Sequence, residues 1–286
     1  MLDELEDLQN QLFGSNNEDD DADKASNPDT SSEELKILSK SKDENIRQSV
    51  AENPNTDQET LEKLSNDKDY YVKLSVASNK NCNTELLSSL AEDENENIRS
   101  AVGKNINCSS DTLKKLAEDE DKNVVESALH NLFTKNENLI SDYLDSENDT
   151  VLMSIASFNK TDPEILKKLI SSDDKNIIKT VIKNPNVEQA IIDTLYESLK
   201  NKGEIFETDD AFGSFMDTLV YSIASYSSNP KIITELSTHQ SYEIREALVL
   251  NPNTNLDLLE KFLNDDSPTV VIETVSQILN RDKPKE

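Results

Sequence analysis

The side chains of this sequence that could bind a metal or catalyse a reaction are two histidines, two cysteines and a series of acidic turns. His130 and His239 have no cysteine or histidine at the spacing of zinc ligands. Cys82 and Cys108 stand 26 residues apart, at equivalent positions of a repeated pattern. Equivalent residues of neighbouring helical repeats lie ~8 to 10 Å apart, which exceeds the Cα separation in a disulfide, about 4.4 to 6.8 Å. We therefore expect two free thiols, no metal, no cofactor and no catalytic residue.

The acidic turns are the remaining candidate for metal binding. They recur as Asp67/Asp69, Asp93/Glu94, Asp119/Glu120/Asp121, Asp145/Glu147, Asp173/Asp174 and Asp265/Asp266. Calcium needs several oxygen atoms that converge in a tight, glycine-containing loop, and this spacing contains no such loop. The turns are therefore predicted to form a solvated edge whose negative field attracts a basic partner.

Charge and composition exclude several classes of function. The 286 residues include 58 Asp or Glu and 29 Lys or Arg, so the net charge is −29. Such a chain repels phosphate groups, which excludes nucleic acid and anionic membranes as partners. The only function related to nucleic acid that remains is that of a decoy that mimics DNA. The sequence has no run of 18 apolar residues, so no membrane span is predicted. Its first residues are not a basic segment followed by an apolar one, so no secretion signal is predicted. The two cysteines fit a reducing compartment, and a cytoplasmic protein is expected.

An internal repeat of the sequence determines the helices and turns that carry these side chains. Its copies begin 26 residues apart at Asn27, Asn53, Asn79, Asn105 and Asn131, and then less regularly at Asn159, Asn184, Asn229 and Asn251. A fixed period of this length indicates stacked repeats.

Each copy contains the pattern of two short helices. Thr56 and Glu59 form the pattern of a capping box, and the same pattern recurs at Thr134/Glu137 and, with a weaker cap, at Cys82/Glu85 and Cys108/Asp111. The first helix carries apolar residues three apart, as in Leu61/Leu64, and the second carries them four apart. The second-helix pairs run from Ile46/Val50 and Val72/Val76 to Ile244/Leu248 and Val271/Val275. A small residue precedes the later member of each pair, which predicts close contact between second helices. These patterns predict an all-α solenoid of about nine two-helix repeats.

The sequence divides into a leader, a repeat domain and a tail. Residues 1–26 have Leu2, Leu5, Leu8, Leu12 and Phe13 at helical spacing, followed by a charged stretch, so a short amphipathic helix and a disordered linker are predicted. The repeat domain covers residues 27–281, and residues 282–286 are a tail. An insertion at about residues 200–217 concentrates Phe206, Phe212, Phe215 and Met216. It is either an ordinary insertion or a binding loop.

The repeat resembles the leucine-rich repeat variant family, in the segments Ile46–Thr56 and Ile244–Thr254, which follow its V-R-x-A-V-A-x-N-P-N-T string. The resemblance covers about residues 27–281 and implies a right-handed superhelix in which an α-helix alternates with a short 3₁₀ helix. The 26-residue period is slightly longer than the family's usual unit, which would lengthen the second helix toward a HEAT-like α-α pair. The founding member of the family also carries a cysteine-ligated iron–sulfur cluster, which generally needs four thiolates; this chain has two.

One column of the repeat indicates a binding surface. The residues after the first apolar position of the second helices are Arg47, Lys73, Arg99, Val125, Leu152, Ile178, Val220, Arg245 and Ile272. Met153 and Tyr221 stand in the next column. If the second helices line a concave face, these residues form an apolar strip flanked by cations. The alternative is that the four central apolar residues enlarge the core and the arginines pair with the acidic turns.

The functional prediction is a non-enzymatic scaffold that binds a protein or peptide, basic in character, along its concave face. The expected contacts are the strip, its flanking residues Arg47, Arg99 and Arg245, and Phe212 and Phe215 of the insertion. The alternative is a helical-repeat lyase, or a chaperone-like accessory that handles a bound prosthetic group. That function requires a deep apolar pocket, which would lie near Met153, Tyr221 and Phe215.

Overall fold

The computed structural model of the protein describes residues 18–206 and 218–281, and within these ranges every regular element is a helix. The chain divides into two compact units, Met1–Leu139 and Ile140–Glu286. The predicted all-α, repeat-based fold is confirmed.

The first unit is a stack of helix pairs. Its helices are α1 (Glu18–Ser26), α2 (Ser32–Leu38), α3 (Glu44–Glu52), α4 (Gln58–Leu64), α5 (Tyr70–Ser78), α6 (Thr84–Leu90), α7 (Glu96–Lys104), α8 (Ser110–Leu116) and α9 (Lys122–Lys135). First helices of seven residues alternate with second helices, most of nine residues. Each second helix contacts the next second helix, as the column of small residues predicts. Both helices of a pair are α-helices, which agrees with the HEAT-like alternative.

The second unit repeats this arrangement. The 3₁₀ helix Glu137–Tyr143 crosses the boundary between the units. The elements that follow are α10 (Asp149–Ser157), α11 (Pro163–Leu169), α12 (Lys175–Lys183), α13 (Gln189–Lys202), the 3₁₀ helix Glu204–Phe206, α14 (Leu219–Tyr226), α15 (Pro230–Leu236), α16 (Tyr242–Leu250), α17 (Leu256–Phe262) and α18 (Pro268–Arg281). Here too, consecutive second helices contact one another.

The predicted apolar pairs form the core, with one error of register. Leu61, Leu64, Val72 and Val76 are buried, as are their equivalents in most repeats. In α18 the inward residues are Val270 and Thr274, while Val275 is exposed. The predicted pair Val271/Val275 is therefore wrong by one residue. The reason is the run of β-branched residues from Val270 to Ile272, which matches the pattern in either register.

The first helices begin one residue later than the capping-box pattern predicts. Asp57, not Thr56, is the N-cap of α4, and its carboxylate accepts from Thr60 N at 2.8 Å. The Thr56 N–H donates to Asn53 O, so Thr56 closes the preceding turn, and its hydroxyl donates to Val50 O. Cys82 and Cys108 take the Thr56 position in their repeats, so the caps of α6 and α8 are Asn83 and Ser109.

Part of the predicted disordered linker is a helix. Residues 18–26 form α1, which packs on α3. Ala25 is fully buried, and its carbonyl accepts from the Asn53 side chain at 2.8 Å. These contacts offset the ordering entropy of a charged segment, so α1 acts as the second helix of an earlier pair. The leucine pattern between Leu2 and Phe13, and the tail 282–286, lie outside the described residues.

Two repeat boundaries differ from the asparagine pattern. Asn131 lies inside α9, which continues to Lys135, and Thr134 donates to His130 O within this helix. The predicted cap Thr134/Glu137 is therefore wrong, and a 3₁₀ helix replaces the expected first α-helix. In the next repeat, Phe158 rather than Asn159 is the boundary residue, because its carbonyl accepts from Asn184 at 2.9 Å. The equivalent acceptor later in the chain is Ser227, two residues before Asn229.

The insertion begins as an extension of a helix. The first helix α13 has 14 residues, twice the usual length, and ends at Gly203, whose φ of 80° is the left-handed conformation that glycine tolerates. Residues 200–202 of the predicted insertion are therefore helical. Phe212, Phe215 and Met216 lie outside the described residues.

Candidate protein-interaction surface

The basic residues of the predicted binding column form ion pairs between adjacent repeats. Arg99 donates from Nε to Asp119 Oδ2 at 2.7 Å and from Nη2 to Asp119 Oδ1 at 2.8 Å. Arg47 pairs with Asp67 and Arg245 with Asp265 in the same bidentate way, and Lys73 bonds Asp93. The hydrogen bond from Arg99 is the main reason that the pKa of Asp119 is lowered. Their donors are used within the stack, so the arginines do not present free guanidinium groups to a partner.

The apolar residues of the same column are mostly buried. Val125 is 1% exposed, Ile178 7% and Val220 2%, and Leu152 is half-buried. The prediction that Val125, Ile178 and Val220 form an apolar strip accessible to a partner is therefore wrong. The physical reason is that this column points into the stack. Where it holds a cation, the cation bonds an acidic turn, and where it holds an apolar residue, that residue is buried or half-buried. Ile272 is exposed because the register of α18 differs by one residue from the predicted one, which puts the half-buried Val271 in this column.

The neighbouring residues Met153 and Tyr221 are half-buried. Met153 Sδ accepts from Thr180 Oγ1 at 3.5 Å, a contact between consecutive second helices. Burial, and the negative charges of Glu246 and Glu243, raise the pKa of Tyr221. Phe212 and Phe215, the predicted contacts from the insertion, lie outside the described residues.

The described histidines and cysteines do not form a metal site or a catalytic site. His239 is buried, and its ring bonds Ile205 O at 3.1 Å. Burial raises the pKa of Cys82 to about 12 and that of Cys108 to about 11, so both thiols are poor nucleophiles. Among the described residues, no group of three or more His, Cys, Asp or Glu side chains could hold a metal ion. Within those same ranges, every helix is too short or too polar to cross a membrane.

A groove on the exposed side of the second helices was not predicted. It lies between α5 and α7 and has a volume of about 370 Å³. It is lined by Tyr70, Leu74, Ser78, Asn97, Ser100, Ala101, Lys104 and Asn105. The Tyr70 ring meets the ring of Tyr71 edge-on, with 4.8 Å between centroids, and Tyr71 is largely exposed.

The groove exists because small side chains on α7 face larger ones on α5. Ser100 Oγ lies 2.9 Å from Ser127 Oγ on α9, so this hydroxyl is directed away from the groove and into the stack. Tyr70 and Leu74 supply apolar surface, while Asn97 and Lys104 supply donors. The sequence feature that could have indicated this groove is the column of residues directly after Arg47, Lys73 and Arg99. This second column contains Leu74, Ser100 and Met153.

Comparisons with known proteins do not identify a function for this chain. No protein-family model and no curated protein matches the sequence. Among solved structures, the chain is similar to a leucine-rich repeat variant with a novel repetitive protein structural motif, at 16% identity and a TM-score of 0.48 over 86% of each chain. It is also similar to an engineered protein at 15% identity and a TM-score of 0.34, over 93% of this chain and 94% of the other. A second engineered protein has 14% identity and a TM-score of 0.18, over 87% and 95%. The chain is thus a helical-repeat protein on the evidence of its own stacked helix pairs.

Proposed function

We propose that this protein is a non-enzymatic helical-repeat scaffold that binds a segment of a partner protein in the groove between α5 and α7. The observation that supports this most directly is the groove itself, with Tyr70 and Leu74 on one wall and Lys104 on the other. Its volume of about 370 Å³ is in the range of ligand sites, about 300 to 1,000 Å³. The groove is partly open to solvent, which suits a segment of a chain better than an enclosed small molecule.

The lining chemistry favours a peptide. Tyrosine is enriched at protein interfaces because its ring contributes a large contact area and its hydroxyl a hydrogen bond. The Asn97 side chain can bond a peptide backbone, and Lys104 can bond a carboxylate. The partner segment should therefore carry an apolar side chain that packs against Tyr70 and Leu74, and an acceptor that reaches Lys104.

The surface differs in its residues from the one that the sequence indicated, although both use the second helices. Val125, Ile178 and Val220 are buried, so the proposed surface uses instead the next column, which contains Leu74 and Ser100. If second helices line the concave side, as is usual in α-solenoids, the partner lies along that side.

Two further assignments belong to this proposal. The match of Ile46–Thr56 and Ile244–Thr254 to the repeat string supports membership of the leucine-rich repeat variant family. A cytoplasmic location is supported by the two buried free cysteines, since disulfides are rare in reducing compartments.

Site-specific photo-crosslinking in cells tests the groove. A photoreactive residue replaces the exposed Ser78 at the groove, and in a control it replaces the exposed Glu62 on α4. We expect a discrete crosslinked partner from position 78 that position 62 does not yield. Adding Leu74→Asp should abolish that crosslink, whereas Leu256→Asp, at an exposed position on α17, should leave it.

Equal crosslinking from both positions would refute the groove as the binding site. Native mass spectrometry of the purified chain tests the alternative function. A bound molecule of constant mass would favour the accessory of a prosthetic group over the scaffold.

A further inference from the structure

A cleft in the first unit is lined mostly by lysines. It lies between the turn that joins α2 to α3 and the end of α4 with the turn that follows it, and its volume is about 470 Å³. Arg47 and Asp67 line it together with four exposed lysines, which are Lys40, Lys42, Lys63 and Lys68. Five cationic side chains thus meet one carboxylate at this cleft, in a chain whose net charge is −29.

The backbone frame of this lysine cleft recurs two repeats later with acidic side chains. Arg47 donates from Nη1 to two carbonyls of the turn before α3, at 3.0 and 3.1 Å. Arg99 donates from Nη1 to the two equivalent carbonyls of the turn before α7, at 2.9 and 3.1 Å. The residues that match Lys40, Lys42 and Lys68 there are Glu92, Glu94 and Glu120. The charge of the cleft therefore comes from its outer side chains and not from the fold of the repeat.

Most of these lysines are not used within the stack. Lys63 bonds Glu59 on its own helix at 2.6 Å, but no ion pair joins Lys40, Lys42 or Lys68 to another described residue.

The carboxylates beside the lysines already have partners. Asp67 accepts from Arg47 and from the backbone N–H of Asp69. Asp43 and Asp69 are the N-caps of α3 and α5. Three ammonium groups at the cleft are therefore available to an anion from outside the chain.

The spacing of the lysines matches an extended peptide. Lys42 and Lys68 occupy equivalent positions of adjacent repeats, so their backbones lie ~8 to 10 Å apart. Side chains on one side of an extended segment repeat about every 7 Å, a difference that long lysine side chains can bridge. Two carboxylates of one acidic segment can therefore each meet a different ammonium group.

The acidic turns of the following repeats limit the size of the ligand. From Asp93 and Glu94 onward, these turns repel an anion. Charges farther apart than the Debye length, about 8 Å at physiological salt, are largely screened from one another. A short segment at the cleft stays clear of those turns, whereas nucleic acid or an anionic membrane would extend over them.

We propose that the lysine cleft binds a short acidic segment of a partner protein. The Asp or Glu side chains of that segment pair with Lys40, Lys42 and Lys68. This site goes beyond the groove between α5 and α7, from which it differs in its lining residues and in the charge of its ligand.

The test titrates the full chain with a hexaglutamate peptide by isothermal titration calorimetry at physiological salt, with hexaglutamine as the uncharged control peptide. Lys42→Gln/Lys68→Gln removes two ammonium groups from the cleft. Lys114→Gln/Lys122→Gln is the matched control, because it changes the net charge equally at exposed positions of α8 and α9.

A gain of binding is tested at the equivalent acidic turns. Glu92→Lys/Glu94→Lys/Glu120→Lys places lysines on the same backbone frame, and it should create a second site for hexaglutamate. The variant Glu147→Lys/Glu164→Lys/Glu260→Lys changes the net charge equally at exposed positions of the second unit, and it should create none.

We expect hexaglutamate to bind Lys42→Gln/Lys68→Gln at least about threefold more weakly than the wild type, as the loss of two exposed ion pairs implies. Lys114→Gln/Lys122→Gln should bind like the wild type, and hexaglutamine should not bind. An equal loss in the two double variants would overturn the proposal, since binding would then follow net charge alone. No binding of hexaglutamate to the wild type, or equal binding of hexaglutamine, would also refute it.

A second copy of the chain is the remaining competitor for the cleft, since its acidic turns could supply the carboxylates. A wild-type dimer in analytical ultracentrifugation that Lys42→Gln/Lys68→Gln dissociates would assign the cleft to that copy and reject a partner protein. None of these outcomes depends on the groove between α5 and α7, so each proposal can fail without the other.

Discussion

The side-chain nitrogen of Asn105 donates to the backbone carbonyl of Asn79, 26 residues earlier, at 2.9 Å, and to the carbonyl of Ala77 at 2.8 Å. Asn53, Asn79, Asn131, Asn184 and Asn251 make the equivalent pair of bonds. The acceptors are carbonyls at the end of the preceding second helix, which lack a partner within that helix. The repeated asparagine therefore joins each repeat to the one before it.

Asn105→Ala should destabilise the first unit strongly. The change removes the buried side-chain donor of the Ala77 carbonyl, one of two donors to the Asn79 carbonyl, which keeps its bond from Cys82 N, and the acceptor of Asn107 N. An unsatisfied buried group costs about 1 to 3 kcal/mol, and each further lost bond about 0.5 to 1.5 kcal/mol. We expect the free energy of unfolding to fall by about 2 to 4 kcal/mol on that basis. Urea denaturation followed by circular dichroism measures it.

Asn107→Ala is the matched control for this substitution. Asn107 also donates to two carbonyls of the previous repeat, those of Lys80 and Cys82, but it is exposed. Water can replace its bonds, so a loss below about 1 kcal/mol is expected. Equal losses for the two variants would contradict the role assigned to burial.

The Arg99–Asp119 pair should show a measurable coupling energy. Both side chains are only 11% exposed and meet in a bidentate arrangement. A double-mutant cycle of Arg99→Met and Asp119→Asn should give about 1 to 3 kcal/mol at pH 7. The exposed pair Lys115–Glu92, with both side chains 60% exposed, should give no more than about 1 kcal/mol.

The coupling should also depend on pH in one direction. The pKa of Asp119 is lowered in the folded state, first by the hydrogen bond from Arg99. A lowered carboxyl pKa adds stability above the unfolded pKa, and this contribution is lost as the pH falls through the folded pKa. The cycle should therefore give a constant coupling above pH 5 and a smaller one below pH 4. A coupling that increases on acidification would refute this assignment.

Sequence reasoning predicts the helices of this protein better than the contacts between its repeats. Leu61 and Leu64 are identified as core residues because helical periodicity is local. Asn53 is identified as the start of a repeat copy, but its bond to the Ala25 carbonyl depends on the stacking of two repeats. Val125 and Ile178 are predicted to lie on a binding face, but both are buried. The direction of these side chains depends on the rotation between adjacent helices, which the sequence of a single repeat does not encode.

The cysteine positions predict a stabilising substitution. In several other repeats this position is threonine, whose hydroxyl donates to a carbonyl of the preceding helix, as Thr161 does to Ile155 O at 2.6 Å. Cys108 is buried at the equivalent site, and a thiol is a weaker donor than a hydroxyl. Cys108→Thr should raise the free energy of unfolding by about 0.5 to 1.5 kcal/mol, measured by urea denaturation.

The reverse change serves as its control. Thr56→Cys removes a hydroxyl that donates to Val50 O, so it should destabilise the chain by a similar amount. A destabilising Cys108→Thr together with a neutral Thr56→Cys would show that packing of the sulfur, not hydrogen bonding, decides this position.

His239 should make the second unit less stable in mild acid. Its Nδ1 accepts from Ser241 N at 3.1 Å and its Nε2 donates to Ile205 O, so the buried ring is satisfied as the neutral form. Burial is the main cause of its lowered pKa, relative to 6.5 for an exposed histidine. As the pH falls through 6.5, the unfolded chain takes up a proton that the folded chain resists, so the contribution of His239 to stability decreases.

The measurement compares wild type and His239→Gln in urea at pH 7.5 and 5.5. The carboxylates titrate alike in both proteins, so the difference between them isolates the histidine. The wild type should lose more stability than His239→Gln between these pH values, because the buried ring resists the proton that the unfolded chain takes up. The same pH dependence in His239→Gln as in the wild type would mean that the ring is protonated in the folded state, in conflict with the bond from Ser241 N.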